Sequence, residues 1–152
     1  MHITKTKKAR FFGGSCRGCG QTFAVPCSAD FACGEIILTG HKGTVFAYLT
    51  LFNPIADEVR NILESLGKDD VESILPVVLS KIADTIEGQT LQLPKVCPSC
   101  QSDKVSLNES QIIAEQEIPI ASFKRFLISS KSEREREITE LIQEKILAAG
   151  NS

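Results

Sequence analysis

The sequence predicts an α+β fold in which two distant turns of the chain are tied together by one metal ion. Three observations carry this. Two Cys-x-x-Cys pairs, Cys16-Arg17-Gly18-Cys19 and Cys97-Pro98-Ser99-Cys100, stand far apart in the chain. Stretches rich in bulky, strand-favouring side chains flank them. Between them lie two segments with helical apolar periodicity. The 152 residues are 42% hydrophobic and 24% charged, ordinary values for a globular chain. At this length roughly 68–70% of the unfolded surface can be buried, so a real core forms without disulfides. A single domain over residues 1–152 is expected.

Residues 9–15 and 21–26 read as short strands around the first cysteine turn, with Phe11, Phe12, Phe23 and Val25 as their bulky residues. Gly18 and Gly20 let the backbone fold closely around two sulfurs. Residues 27–34 lack periodicity and read as a loop. Glu35–Thr39 and Thr44–Leu51 predict a β-hairpin about Gly40-His41-Lys42-Gly43.

Asn53, Pro54, Asp57 and Glu58 then supply an N-cap, a first-turn proline and acids at the positive end of a helix dipole. Ile55, Val59, Ile62, Leu63 and Leu66 lie on one helical face, and Gly67 is a C-terminal stop. A second helix is predicted from Asp69, with Glu72 as its capping-box partner. Its apolar face runs from Val71 to Ile86, with a kink or break at Pro76 and an end at Gly88. The short loop makes the two helices an antiparallel hairpin.

Leu91–Val96 leads into the second cysteine turn, and Lys104–Asn108 leads out. Ile112–Ile120 predicts a further extended segment bounded by Pro119. Residues 122–130 have no clear pattern. A last helix is predicted from Ser132, boxed with Glu135. Its first turns are charged on all sides, and only Ile138, Leu141, Ile142 and Ile146 form a stripe. The helix is therefore expected to project at its start and dock at its end.

Each Cys-x-x-Cys can present two thiolates from one tight turn, and four complete a tetrahedral zinc site with no place for a catalytic water. Strand, Cys-x-x-Cys, strand, insertion, strand, Cys-x-x-Cys, strand resembles a zinc ribbon. The resemblance rests on Cys16-Arg17-Gly18-Cys19-Gly20 and Cys97-Pro98-Ser99-Cys100, and covers about 9–26 and 90–108. It implies a bipartite zinc ribbon whose two knuckles hold one structural zinc through Cys16, Cys19, Cys97 and Cys100. The β-hairpin and helical hairpin, about 27–89, form an insertion, and about 109–152 forms a strand and helix extension. The 77 residues between Cys19 and Cys97 depart from a compact ribbon.

Rival groupings exist. Cys16, Cys19, Cys27 and Cys33 are close in sequence but leave the second pair without a role. A second site from Cys27, Cys33 and His41 is conceivable. The plainer expectation makes Cys27 and Cys33 small buried hydrophobes and His41 a solvated hairpin-tip residue.

The net charge of −2 argues against a polyanion-wrapping protein, but its distribution is uneven. Residues 1–29 carry Lys5, Lys7, Lys8, Arg10 and Arg17 with no acid, while residues 30–94 carry ten acids and four bases. The basic pole could contact phosphates, with Phe11 or Phe12 stacking on bases. Phe123-Lys124-Arg125-Phe126 repeats the mixture. No secretory signal follows the N-terminal basic residues and no stretch matches a membrane span, so a reducing cytoplasm is the expectation.

No phosphate loop, nucleophile elbow or histidine-rich motif is present, and no residue is singled out as catalytic. The expected function is a non-catalytic, zinc-stabilised accessory or regulatory module that binds another macromolecule, most simply a protein. Nucleic-acid binding through the basic pole is the first alternative, and a thiol–disulfide oxidoreductase the second. The C-terminal helix is a candidate for self-association.

Overall fold

The computed structural model describes residues 6–27, 32–94 and 96–150, with the side chains of 145–150 outside that description. The chain runs β1 (Thr6–Cys16), β2 (Thr22–Pro26), β3 (Glu35–Gly40), β4 (Phe46–Thr50), α1 (Pro54–Ser65), α2 (Val71–Ile82), β5 (Leu91–Gln92), β6 (Val105–Pro119), α3 (Lys124–Ile128) and α4 (Lys131–Gly150). The fold is α+β. Its strands form two antiparallel sheets, ordered β2-β1-β6 and β4-β3-β5.

In the first sheet, β1 and β2 make a hairpin around the first cysteine turn, with Ser15 opposite Thr22 and Phe11 opposite Pro26. β6 returns along the other side of β1, from Val105 opposite Cys16 to Pro119 opposite Thr6. Sequence periodicity divides this stretch into two segments, whereas the structure makes it one bulged strand. The partner of β1 jumps from Ala114 to Ile112 across Phe11/Phe12, then to Asn108 across Phe12/Gly13. At the same place β1 changes its buried face. Ala9 and Phe11 are buried before the bulge, Gly14 and Cys16 after it. Odd and even strand residues point to opposite faces, so one strand serves the second sheet with one half and the cysteine turns with the other. Only glycine fits at position 14, where a Cβ would lie 2.7 Å from the side chain of Val25.

The second sheet contains the predicted β3–β4 hairpin, with Ile37 opposite Tyr48 and Thr39 opposite Phe46. Its third strand corrects the sequence reading. The resemblance places the segment before Cys97 in the ribbon, whereas Leu91 and Gln92 pair with Gly40 and Thr39 of β3. Leu91 is 1% exposed within the helical core. Burying a leucine gains roughly 1.5–3 kcal/mol, which favours this pairing over an open edge of the first sheet.

The second sheet lies between two layers. Leu38, Ala47 and Leu49 face Val59, Leu63, Leu75, Leu79 and Ile82 of the helical hairpin, joined by Phe126 and Ile138. On the other face, Ile37, Phe46 and Tyr48 meet Ala9, Phe11 and Ile118 of the first sheet. The rings of Phe11 and Phe46 stand 4.5 Å apart and tilted, an arrangement that adds to plain area burial. At one end the sheets are stitched by the Ala121 amide, which donates to the Tyr48 carbonyl at 2.8 Å.

The helix signals mostly hold. Asn53 Oδ1 accepts from the Ala56 amide at 2.9 Å, and Pro54 opens α1. Gly67, at φ +77°, closes it, and the Lys68 amide reaches back to the Leu63 carbonyl at 3.2 Å. α2 differs in three ways. Asp70, not Asp69, occupies the N-cap, and its side chain makes no capping bond. The helix passes Pro76 without interruption, because the proline deprives only the carbonyl of Glu72, an exposed residue. It stops at Ile82, before Ile86, because the next turn has another task. Asp84 accepts from the Ser122 hydroxyl at 2.6 Å and from the amides of Lys124 and Arg125 at 2.8 and 3.0 Å. A carboxylate distant in sequence thus caps α3, which the sequence left unassigned.

α4 begins one residue earlier than its sequence signal. The Glu133 amide donates to Ser130 Oγ at 3.2 Å, and Glu133 Oε1 accepts from the Ser130 amide at 3.3 Å. The charged start does not project. Arg134 bonds the Glu58 carboxylate of α1 at 2.8 Å and the Ser129 carbonyl at 2.8 Å, and its guanidinium lies over the Phe126 ring. Ile138 and Ile142 are buried in the chain's own core, so their part of the stripe is spent in cis. Ile146 lies outside the described side chains.

Candidate metal centre

The two cysteine turns have the same backbone. In the first, the Cys16 amide donates to the Gln21 carbonyl at 2.9 Å and the Gly20 amide to the Cys16 carbonyl at 2.9 Å. In the second, the Cys97 amide donates to the Ser102 carbonyl at 2.9 Å and the Gln101 amide to the Cys97 carbonyl at 2.8 Å. The residue after the second cysteine has positive φ in both, Gly20 at +79° and Gln101 at +65°. The first cysteine of each turn is buried and the second exposed. The turns are held face to face by the Arg17 amide, which donates to the Lys104 carbonyl at 2.8 Å.

This arrangement brings four sulfurs together. Cys16, Cys19, Cys97 and Cys100 place all four Sγ atoms within 4.8 Å of one another. Cys16 and Cys100 are 3.5 Å apart, Cys19 and Cys97 3.6 Å. Tetrahedral zinc–thiolate bonds of about 2.3 Å require sulfurs about 3.8 Å apart, so a metal ion of this size fits with small adjustments. The amides of Gly18 and Cys19 point at Cys16 Sγ, at 3.3 and 3.4 Å. Such bonds stabilise thiolate charge, as a tetrathiolate centre requires.

Electrostatics distinguishes the sulfurs. The Cys16 thiol is lowered to about 6, first by the Cys19 amide, with burial opposing and the Gly18 amide assisting. The Cys100 thiol is raised to about 12. The Ser102 amide pulls it down, but the neighbouring Cys16 sulfur and burial outweigh that pull. Crowded thiols therefore share protons among themselves, and a bound cation replaces those protons with its own charge.

The rival groupings are not assembled. Among the described residues, three or more ligand-type side chains gather only at these four cysteines. Cys27 is buried, as expected of a small hydrophobe, but Cys33 is exposed. His41 is half-buried, and its Nδ1 accepts from the Thr90 amide at 3.0 Å, so it ties the β3–β4 turn to the start of β5.

The fold engages part of the basic pole. Lys5 lies outside the described residues. Lys7 Nζ sits 5.2 Å from the centre of the Tyr48 ring, and Lys8 pairs with Glu115 at 2.7 Å. Arg10 lies opposite Glu115 in the ladder, and Arg17 is exposed at the tip of the first turn. Two of the five charges, Lys8 and Arg10, thus stand by Glu115 of β6, about a hundred residues away in sequence. Phe11 is core, Phe12 half-buried, and Phe123 and Phe126 are both buried.

The amide-to-sulfur bonds and the Gln101 backbone were not singled out from sequence. The matched spacing of Gly20-Gln21 and Gln101-Ser102 after the two pairs is the signal that could have found them. Among the described residues no helix is long and apolar enough to cross a membrane. Comparison with protein-family models, with curated proteins and with solved structures returns no match.

Proposed function

We propose that this chain is a zinc-stabilised, non-catalytic accessory or regulatory module that binds another protein. The carrying observation is the closed four-sulfur cluster. It takes up every position of a tetrahedral ion with protein atoms and joins turns 77 residues apart. Such a centre organises the fold and offers no open coordination position for substrate or water. When bound, the ion supplies the positive charge and fixed geometry that hold four thiolates together. This chain's residues do the remainder: the Gly18 and Cys19 amides stabilise Cys16, and the Arg17–Lys104 bond sets one turn against the other.

Two further features support a partner-binding role over chemistry. Neither cysteine turn opens a helix, the setting that activates a dithiol for exchange. Ile128 on α3 is 85% exposed and Leu127 beside it 52%, apolar area that a protein partner would cover. The partial neutralisation of the basic pole by β6 weighs against phosphate binding.

Native mass spectrometry of protein purified without chelator tests the reading. One zinc per chain is expected. A folded chain at the fully reduced mass that carries no metal overturns it. Replacement Ile128→Asp should retain zinc and abolish co-purification of a partner.

A further inference from the structure

The four sulfurs have a pairing that metal binding alone does not require. Within a cluster whose sulfurs all lie within 4.8 Å, the two Sγ pairs in hydrogen-bond contact, Cys16 with Cys100 at 3.5 Å and Cys19 with Cys97 at 3.6 Å, cross from one turn to the other. Each also joins a buried cysteine to an exposed one, because the first cysteine of each turn is buried and the second exposed. Solvent reaches Cys19 and Cys100, and the sulfur beside each belongs to the opposite turn.

We propose that the cluster has a second closed state, in which hydrogen peroxide converts the four thiolates into two cross-turn disulfides, Cys16–Cys100 and Cys19–Cys97. The Cys19 thiolate, exposed in the first turn, attacks peroxide. The O–O bond breaks, a sulfenic acid forms at Cys19 and hydroxide leaves. The Cys97 thiolate then attacks that sulfur. An S–S bond forms, the S–O bond breaks and a second hydroxide leaves. Two protons convert the hydroxides to water, so one peroxide is reduced to two waters as two thiolates lose two electrons. Cys16 and Cys100 react with a second peroxide in the same way, the sulfenic acid forming at Cys16. The four sulfurs, once paired as disulfides, would no longer hold a metal ion.

The consequence lies in which loop each pairing closes. Disulfides within each Cys-x-x-Cys would release the metal and free the two turns from each other. Cross-turn disulfides release the metal yet keep the 77-residue insertion closed at its base. The device is a clamp that exchanges a reversible metal link for a covalent one under oxidation, without opening the first sheet. It rests on the sulfur arrangement, and the metal assignment can fail without it.

The test is a tryptic map of the full-length native protein after graded hydrogen peroxide, digested without reduction, with zinc release followed by a chromophoric chelator. Cleavage after Arg10, Arg17, Lys42, Lys95 and Lys104 puts Cys16 and Cys19 on separate peptides, and Cys97 with Cys100 on one. The expected result is loss of four mass units and a single species joining all three peptides. A Cys16 peptide joined to the Cys19 peptide, with the Cys97–Cys100 peptide two mass units light and unattached, overturns the proposal. So does irreversible addition of oxygen without crosslinks. A double variant, Cys19→Ser with Cys97→Ser, isolates the other pair. It should lose two mass units and join Cys16 to Cys100, and failure to join them in folded protein also overturns the proposal. Metal-free starting protein that still yields the three-peptide species would sink the zinc reading and leave this one standing.

Discussion

The two sheets are held by different means. The β4-β3-β5 sheet is covered on both faces, by the helical hairpin on one side and by β1 and β6 on the other. The β2-β1-β6 sheet has that contact over only part of its length. Residues 108–117 of β6 are exposed without a break, and β2 buries only Val25 and Pro26. Apolar burial supports the first arrangement and is thin in the second. The four-cysteine cluster sits at the thin end, where β1, β2 and the start of β6 converge. A chain large enough for a hydrophobic core thus still gains from a metal, because the core does not extend under every strand.

That contrast can be broken most severely at the cluster. Cys97→Ser should abolish stoichiometric metal and lower stability by several kcal/mol, given apparent metal contributions of about 10–16 kcal/mol in small zinc domains. Metal analysis and thermal unfolding read both. Cys27→Ser should keep the metal, since Cys27 lies outside the cluster. Next in size is the joint between the sheets. Phe11→Ala removes a ring that is 1% exposed against Phe46 and should cost about 3–5 kcal/mol in denaturant unfolding, with metal retained.

A smaller effect belongs to the helical side alone. Asp84→Ala removes the cap of α3 and should cost about 1 kcal/mol without changing metal content. Its pH dependence has a defined sign. Burial pushes the Asp84 carboxyl up, but the Ser122 hydroxyl and the amides of Arg125 and Lys124 outweigh it, leaving it below its ordinary value of 3.8. The stabilisation is therefore complete above that value and is lost as pH falls through the depressed one. A pH titration of wild-type and variant stability should converge at acid pH.

The smallest effects compare the two turns directly. Gly20 and Gln101 occupy equivalent left-handed positions. The steric cost of a side chain there is partly offset by about 0.4–1 kcal/mol of unfolded-chain entropy that glycine adds, so Gln101→Gly should raise the melting temperature slightly and Gly20→Ala should lower it slightly. A Cβ at Gly20 meets nothing within 4 Å, so the loss there comes from backbone strain alone.

What the sequence conveyed follows from the range of each signal. The caps of α1, the β3–β4 hairpin and the Cys-x-x-Cys turns are set by residues within a few positions of each other, and all were legible. The cysteine grouping was legible although it joins distant residues, because thiolate pairs match each other by chemistry alone. The features missed depend on pairings that no local pattern encodes. Leu91 joined β3 because the helical core offered it burial, β6 is one strand because it bulges opposite Phe12 and pairs with β1 on both sides of the bulge, and α2 ended early because Asp84 caps α3. The pairing of Lys8 with Glu115 was illegible for the same reason, since Glu115 lies on β6.

The most direct test of the metal clamp is hydrogen exchange of the native protein, measured before and after chelation under reducing conditions. The account predicts that β1, β2 and the start of β6 lose protection once metal is removed, while α1, α2, β3 and β4 remain protected. Unchanged protection throughout, with metal demonstrably absent, would contradict it.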